Sequence, residues 1–209
     1  VLKDTIIASQ NIRFEGDGYS EEWKQEAQKR GLTNICNVPE AIMKFNDPQS
    51  RAVLLGEKIF NENELNCRIE VELEKYTKKV QIESRVLGDM AINHIIPTAV
   101  IYQNRLLENL RGLRETFSAE EYEALGADRR ELVKRIQIRI LAIKQLVNDM
   151  TEARKVANRL PSQIEKAFSY EEHVRPYLDE IREHIDLLEL EIDDEIWPLP
   201  KYRELLFTK

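Results

Sequence analysis

Residues 133–150 read VKRIQIRILAIKQLVNDM, and this stretch decides the fold. Its apolar positions recur in alternating steps of three and four residues: Val133, Ile136, Ile140, Ile143, Val147 and Met150. A mean step near 3.5 residues keeps one apolar face aligned with a supercoiling partner helix. The stretch therefore predicts a long helix that packs along another.

Two further stretches carry the same spacing. Residues 174–192 place Val174, Leu178, Ile181, Ile185, Leu188 and Ile192 on one seam, and an earlier seam comprises Ile69, Leu73, Tyr76, Val80 and Leu87. Pro161 and Ser162 form a short break between the later two helices, which favours antiparallel neighbours. We expect the three seams to close on one another in a three-helix antiparallel bundle. Binding of a seam to another protein is the alternative.

Capping and terminating residues predict where the next helices begin and end. We call the first of these long helices the first rod. Asn61 with Glu64 resembles a capping pair, and no strong terminator follows before Gly112. Pro97 is expected to kink this rod rather than end it, because apolar positions resume directly after it. A capping box at Ser118 and Glu121 predicts a short helix that ends near Gly126.

Residues 1–60 are predicted to form a lobe of short elements. The expected order is a helix over 1–9, a strand or extended segment over 11–15, a turn at 16–18, a helix over 20–30 stopped by Gly31, and two short helices opened by Pro39 and Pro48, the second ended by Gly56. The first helix has no initiator Met and no capping residue ahead of it, so we expect the chain to begin inside a longer protein.

The composition supports an all-α class with two units, a lobe over 1–60 and a long-helix bundle with a tail over 61–209. Gly and Pro number 7 each, while charged residues reach 33%. The net charge of −7 argues against nucleic-acid binding, which needs clustered cations. Cys36 and Cys67 lack metal-ligand or disulfide spacing, and no apolar run is long enough to span a membrane. We expect a soluble, cytoplasmic protein.

The sequence predicts no catalytic, cofactor-binding or metal-ligating residue. His94, His173 and His184 share no ligand spacing, although His184 lies four residues after Glu180. The acidic residues 193–195 end a helix, where they are unfavourable against its dipole; they could recruit a cation or a basic partner, but frayed, solvated residues are the default expectation. The turn at 16–18 could present amides to an anion, but the chain reversal itself explains two glycines.

The final segment over 197–207, WPLPKYRELLF, leaves the bundle through two prolines. Exposing Trp197, Tyr202, Leu205, Leu206 and Phe207 together would create an unusually large apolar patch. We therefore expect this tail to dock on its own domain or on a neighbour.

Residues 14–31, FEGDGYSEEWKQEAQKRG, resemble the segment that follows the catalytic domain of type III glutamine synthetases. The resemblance continues at 76–97 (YTKKVQIESRVLGDMAINHIIP), 152–158 (EARKVAN) and 197–207, and it covers nearly the whole chain in order. It implies a parent glutamate-ammonia ligase that uses ATP and Mg or Mn in a ring-shaped homo-oligomer. The family's metal, nucleotide and glutamate ligands belong to domains upstream, so no functional residue is carried over.

The leading hypothesis is therefore a structural and assembly domain, partnered by the upstream catalytic domain and by other subunits of the oligomer. A regulatory module is the rival, with an effector or partner protein received at residues 16–18 or near Asp194. A free-standing coiled-coil adaptor is the third possibility.

Overall fold

Capping residues set the ends of the elements in the computed structural model, which describes residues 2–206 of the chain. In order, the helices are α1 (Leu2–Ala8), α2 (Glu21–Lys29), α3 (Val38–Met43), α4 (Pro48–Gly56), α5 (Glu62–Met90), α6 (Ile96–Thr116), α7 (Ala119–Asn158), α8 (Gln163–His173), α9 (Arg175–Glu191) and α10 (Tyr202–Leu205). Among residues 2–206 there is no strand, so the all-α prediction is confirmed.

The predicted capping boxes are present. The Asn61 side chain accepts from the Glu64 amide at 2.9 Å, and Glu64 accepts in return from the Asn61 amide at 2.8 Å. Ser118 and Glu121 form the same reciprocal pair at the start of α7. Each box satisfies amides that a helix N-terminus would otherwise leave without partners.

The prediction that the helix after Ser118 ends near Gly126 is wrong, because α7 continues to Asn158. Gly126 is buried, and a Cβ built there would lie 3.2 Å from Leu110 Cδ2 of α6. A glycine at this position lets α6 and α7 approach closely. It therefore serves the packing of the two helices rather than the termination of one.

Pro97 does not end the first rod, as predicted, and the backbone departs from regular α-helix directly before it. Residues Ala91–Ile95 form a π-helical turn, in which the Ile96 amide donates to the Ala91 carbonyl five residues back. A proline has no amide to donate and its ring clashes with the carbonyl four residues earlier. The wide turn makes room for that ring, so α6 continues from α5 as one rod.

The three seams close into a main core, to which the first seam contributes Tyr76, Val80 and Leu87, while Ile69 and Leu73 of that seam lie in a second core. The rods are α5 with α6, then α7, then α8 with α9, and the closest pairings join α6 with α7, α7 with α9, and α5 with α8. Seam residues Ile136, Ile143, Ile181 and Leu188 are fully buried. The three-helix bundle is confirmed. Its third rod is interrupted at Val174, which is buried in the core, and Tyr177 and Leu178 of α9 pack against that core.

A second, smaller core lies at the base of the first rod. Its buried members are Leu65, Ile69, Leu73 and Ala167. Side chains from the short helices pack against them: Ile42, Met43, Leu54, Leu55 and Phe60. Residues 38–60 are thus held on α5 and α8 by apolar contact.

Of the two alternatives expected for residues 11–15, a strand or an extended segment, the strand is wrong. Gln10–Ile12 form a single 3₁₀ turn, closed by the Arg13 amide donating to the Gln10 carbonyl at 3.3 Å. The extended backbone that begins at Arg13 has no neighbouring strand within the described residues, so no ladder forms. The predicted stop at Gly31 is confirmed, since its φ of 69° is one that L side chains rarely adopt.

Polar side chains join the rods beside the apolar core. The Tyr170 hydroxyl donates to Asn158 Oδ1 at 2.9 Å and accepts from Gln81 Nε2 at 3.2 Å, linking α8, α7 and α5. The Tyr76 hydroxyl donates to the Glu171 carboxylate. Burial and that hydrogen bond raise the pKa of Tyr76 well above its ordinary value.

This raised pKa predicts a loss of stability at high pH. Above pH about 10 the unfolded chain releases the Tyr76 proton, whereas the folded chain keeps it, so the native state binds more protons and stability falls as pH rises. Tyr76→Phe should reduce the slope of unfolding free energy against pH, measured by urea denaturation from about pH 8 to about pH 11.

Tyr19→Phe is the matched control, because Tyr19 is 95% exposed. A Tyr76→Phe slope equal to that of the unsubstituted chain would contradict the assignment.

Candidate functional site

The acidic residues that follow α9 lie where three elements meet. Asp193 Oδ2 is 3.3 Å from Arg105 of α6, and the Asp194 carboxylate accepts from Lys201 Nζ of the tail. The alternative that these acids have a basic partner, rather than the default of solvated residues, thus holds for Asp193 and Asp194, and both partners belong to the same chain. This arrangement does not favour the rival hypothesis of an effector site near Asp194.

Lys201 also caps α9. Its Nζ donates to the carbonyl of Glu189 at 2.7 Å and to that of Ile192 at 3.4 Å. The last carbonyls of a helix lack intrahelical donors and carry the negative end of its dipole, so an ammonium group is favourable there. The positive charge of Lys201 thus offsets the negative charge that Asp193 and Asp194 place at the C-terminal end of α9.

The tail docks through Trp197, which is 7% exposed, while Ile196 and Leu199 pack against the bundle core. The docking prediction is confirmed for Trp197. Leu205 and Leu206 are each 63% exposed, so they do not dock on the described residues of this chain, and their docking on a neighbour stays a prediction. The side chain of Tyr202 and the whole of Phe207 lie outside what the structure describes. We call Asp194, Trp197, Leu199 and Lys201 the tail clasp.

Arginines of α7 fix the same end of the third rod. Glu191 Oε1 is 2.8 Å from Arg135 Nε, and Glu191 Oε2 is 3.6 Å from Arg139 Nε. The Glu191 side chain is only 17% exposed, so these ion pairs are less screened than surface pairs. Together with Arg105, they tie the end of α9 to both neighbouring rods.

The turn at residues 16–18 is accounted for by local contacts. Asp17 Oδ1 accepts from the Tyr19 amide at 2.9 Å, and the Ser20 side chain caps α2 by accepting from the Trp23 amide at 3.2 Å. A Cβ on Gly16 would lie 2.7 Å from the ring of Phe14, which itself packs on Trp23. The glycine is needed so that the ring can approach the backbone.

The histidines and cysteines are dispersed. His94 is exposed, His173 lies 3.9 Å from Glu172, and His184 is partly buried on α9. Cys36 and Cys67 are free and exposed. Over residues 2–206, no group of three or more His, Cys, Asp or Glu is placed to hold a metal ion.

The N-terminal segment presents apolar side chains that the other described residues leave exposed. None of the residues of α1 is buried: Leu2 is 80%, Ile6 52% and Ile7 60% exposed. Ile12 follows at 73%. We call Leu2, Ile6, Ile7 and Ile12 the uncovered face. In the described part of the chain, none of the helices has the length and hydropathy needed to cross a bilayer.

Sequence reasoning did not identify Lys201, Arg105 or Glu191 as structural links. Arg105 and Asp193 are 88 residues apart, and Arg135 and Glu191 are 56 apart, so spacing along one helix gives no signal for them. Lys201 had a usable signal, because a cation shortly after a helix end is favourable to the last carbonyls.

Comparisons with known proteins agree on one family. A family model described as the glutamine synthetase C-terminal domain matches residues 1–114. A glutamine synthetase of Bacteroides fragilis is 74% identical over all 209 residues, and a type-3 glutamine synthetase of Dictyostelium discoideum is 28% identical over 215 aligned positions. The chain spans 29% and 28% of the lengths of these relatives. A glutamine synthetase of Butyrivibrio fibrisolvens is 27% identical, again with 29% of its length covered.

Substitution of Lys201 tests whether the tail clasp holds the tail on the bundle. Lys201→Met removes the donor to the α9 carbonyls and leaves the Asp194 carboxylate without this cation, so the tail should undock and Trp197 should become exposed. In a Trp23→Phe background, where Trp197 is the sole tryptophan, its emission should shift to longer wavelength.

Lys155→Met is the matched control, because Lys155 pairs with Glu152 on the exposed face of α7 and lies far from the tail in sequence. The same emission in both variants would show that Lys201 does not hold the tail.

Proposed function

Because the chain belongs to the family of glutamine synthetase C-terminal domains, we propose that it is a structural and assembly module of a larger glutamine synthetase. The uncovered face is the single observation that supports this role most directly. The bundle closes its own seams, whereas Ile6, Ile7 and Ile12 project apolar side chains with no cover from the described residues.

The proposed occupant of this face is the remainder of the parent chain. The relatives are more than three times as long as the part that this chain matches, which provides ample protein surface for such a contact. Burying an isoleucine side chain contributes about 1.5–3 kcal/mol, so a contact that covers this face would stabilise the assembled protein. In this proposal α1 and α2 lie against the catalytic part, and the bundle projects from it or braces neighbouring subunits.

The proposed parent reaction is the ATP-dependent ligation of glutamate and ammonia to glutamine, in a homo-oligomer of the cytoplasm. Mg or Mn and ATP would assist that reaction. The described residues of this chain do not fit the metal ion, since they bring together no cluster of metal-ligating side chains. We therefore assign the chemistry to the rest of the parent and no catalytic step to this segment.

The division into a lobe over 1–60 and a bundle over 61–209 is part of the proposal. The lobe would connect the catalytic part to the bundle, because residues 38–60 pack on the base of α5 while the segment before them carries the uncovered face. Coiled-coil packing of the rods would give the bundle the stiffness that a brace requires.

The isolated 209-residue chain should form no glutamine. We expect neither glutamine synthesis nor the glutamyl-transferase partial reaction above the blank with ATP, glutamate, ammonia and Mg or Mn supplied. The parent synthetase is the positive control. Activity of the isolated chain would overturn the structural role.

The uncovered face should be necessary for assembly. In the full-length synthetase, Ile6→Ser combined with Ile7→Ser should lower the assembled fraction measured by light scattering, and should increase protease cleavage within residues 2–29. The physical reason is the loss of two apolar side chains from the contact.

Leu190→Ser is the matched control, because Leu190 is 82% exposed on the bundle and lies far from the uncovered face in sequence. Assembly and proteolysis that do not differ between the double variant and this control would refute the proposed contact.

A further inference from the structure

A small cleft opens between the first rod, α9 and the tail. Its volume is about 260 Å³, below the roughly 300–1,000 Å³ of pockets that take drug-sized ligands. Its lining includes the apolar side chains Leu87, Met90 and Ile185, which we call the floor, and also Leu199 and Trp197 of the tail clasp, which we call the wall. The cleft is separate from the uncovered face and from the ion pairs of Glu191.

Three charged side chains line the same cleft. Arg182 Nε is 3.3 Å from Asp186 Oδ2, and both side chains are largely in solvent, at 74% and 54% exposed. Glu189 is partly buried; its backbone carbonyl accepts from Lys201, while its carboxylate makes no hydrogen bond or ion pair with the residues that the structure describes. The lining therefore offers one guanidinium and two carboxylates, one of which is unpaired.

The charged and apolar side chains of this lining together favour a ligand that carries charged groups of both signs and a hydrocarbon group. A carboxylate that is partly withdrawn from water favours a cation beside it, and a guanidinium favours an anionic carboxylate with two oxygens. The apolar floor favours an uncharged hydrocarbon group, since burying it removes apolar surface from water. A zwitterionic head with a short aliphatic side chain meets all three conditions within the available volume.

We propose that this cleft binds a free α-amino acid with an aliphatic side chain. The ammonium group lies against Glu189 and Asp186, the α-carboxylate lies against Arg182, and the side chain rests on Leu87, Met90 and Ile185. The site goes beyond the assembly role and does not depend on it, because all of its lining residues belong to the bundle and its tail.

The experiment uses the 209-residue chain with L-leucine as the probe. Trp197 lies in the wall of the cleft, so in a Trp23→Phe background its fluorescence reports occupancy. We expect a saturable change with L-leucine in the millimolar range, and a matching saturable heat by calorimetry on the unsubstituted chain. 4-Methylpentanoate, which lacks the ammonium group, and leucinamide, which lacks the carboxylate, should each bind at least about tenfold more weakly, a difference of 1.4 kcal/mol.

Glu189→Gln should weaken L-leucine binding by about tenfold or more, with helix content checked by circular dichroism. Asp186→Asn is a second variant on an exposed side chain and should weaken binding in the same direction. Glu195→Gln is the control, because Glu195 is an exposed acid outside the cleft, and it should leave affinity unchanged.

The proposal is overturned if L-leucine gives no saturable signal, or if 4-methylpentanoate binds as tightly as L-leucine, which would indicate an apolar pocket only. It is also overturned if Glu189→Gln and Asp186→Asn bind L-leucine like the Glu195→Gln control. None of these outcomes bears on the assembly of the parent synthetase, so the two proposals fail independently.

Discussion

Closure of the apolar seams is the interaction on which the rest of the structure depends. Ile136, Ile143, Ile181 and Leu188 are removed from water only because the three rods present the same 3.5-residue spacing to one another. Once the rods are aligned, residues far apart in sequence reach hydrogen-bonding distance. The link from Gln81 through Tyr170 to Asn158 is a result of that alignment rather than its cause.

Much of the fold could be predicted because it is encoded locally. Asn61 with Glu64, Ser118 with Glu121 and Gly31 act through backbone geometry within a few residues of themselves. Gly126 was misinterpreted because the same residue type also serves close helix packing, which requires knowledge of the neighbouring helix. The strand suggested for residues 11–15 failed for a related reason, since a strand needs a partner that a short alternating stretch does not reveal.

The contacts that hold the end of α9 and the tail were harder to predict than the fold. Their residues come from α6, α7, α9 and the tail, and their meeting depends on how far each rod extends past its neighbours. Residues 193–195 were expected by default to be frayed and solvated, with a basic partner as the alternative, and the partners Arg105 and Lys201 of Asp193 and Asp194 are visible only after the rods are assembled. The resemblance to type III glutamine synthetases was the part of the functional reading that the sequence supported best, and the family model supports it over residues 1–114.

The π-helical turn at Ala91–Ile95 has a consequence for how length changes are tolerated. A π-helical turn holds one residue more than an α-helical turn, which corresponds to a rotation of about 100° about the helix axis. The turn therefore sets the angle between the side of α5 that contacts α8 and the side of α6 that contacts α7. A one-residue deletion between positions 90 and 96 would erase that offset, and only one of the two contacts could then remain in register. Homologues should accordingly conserve the number of residues across this turn more strictly than the identity of its exposed side chains.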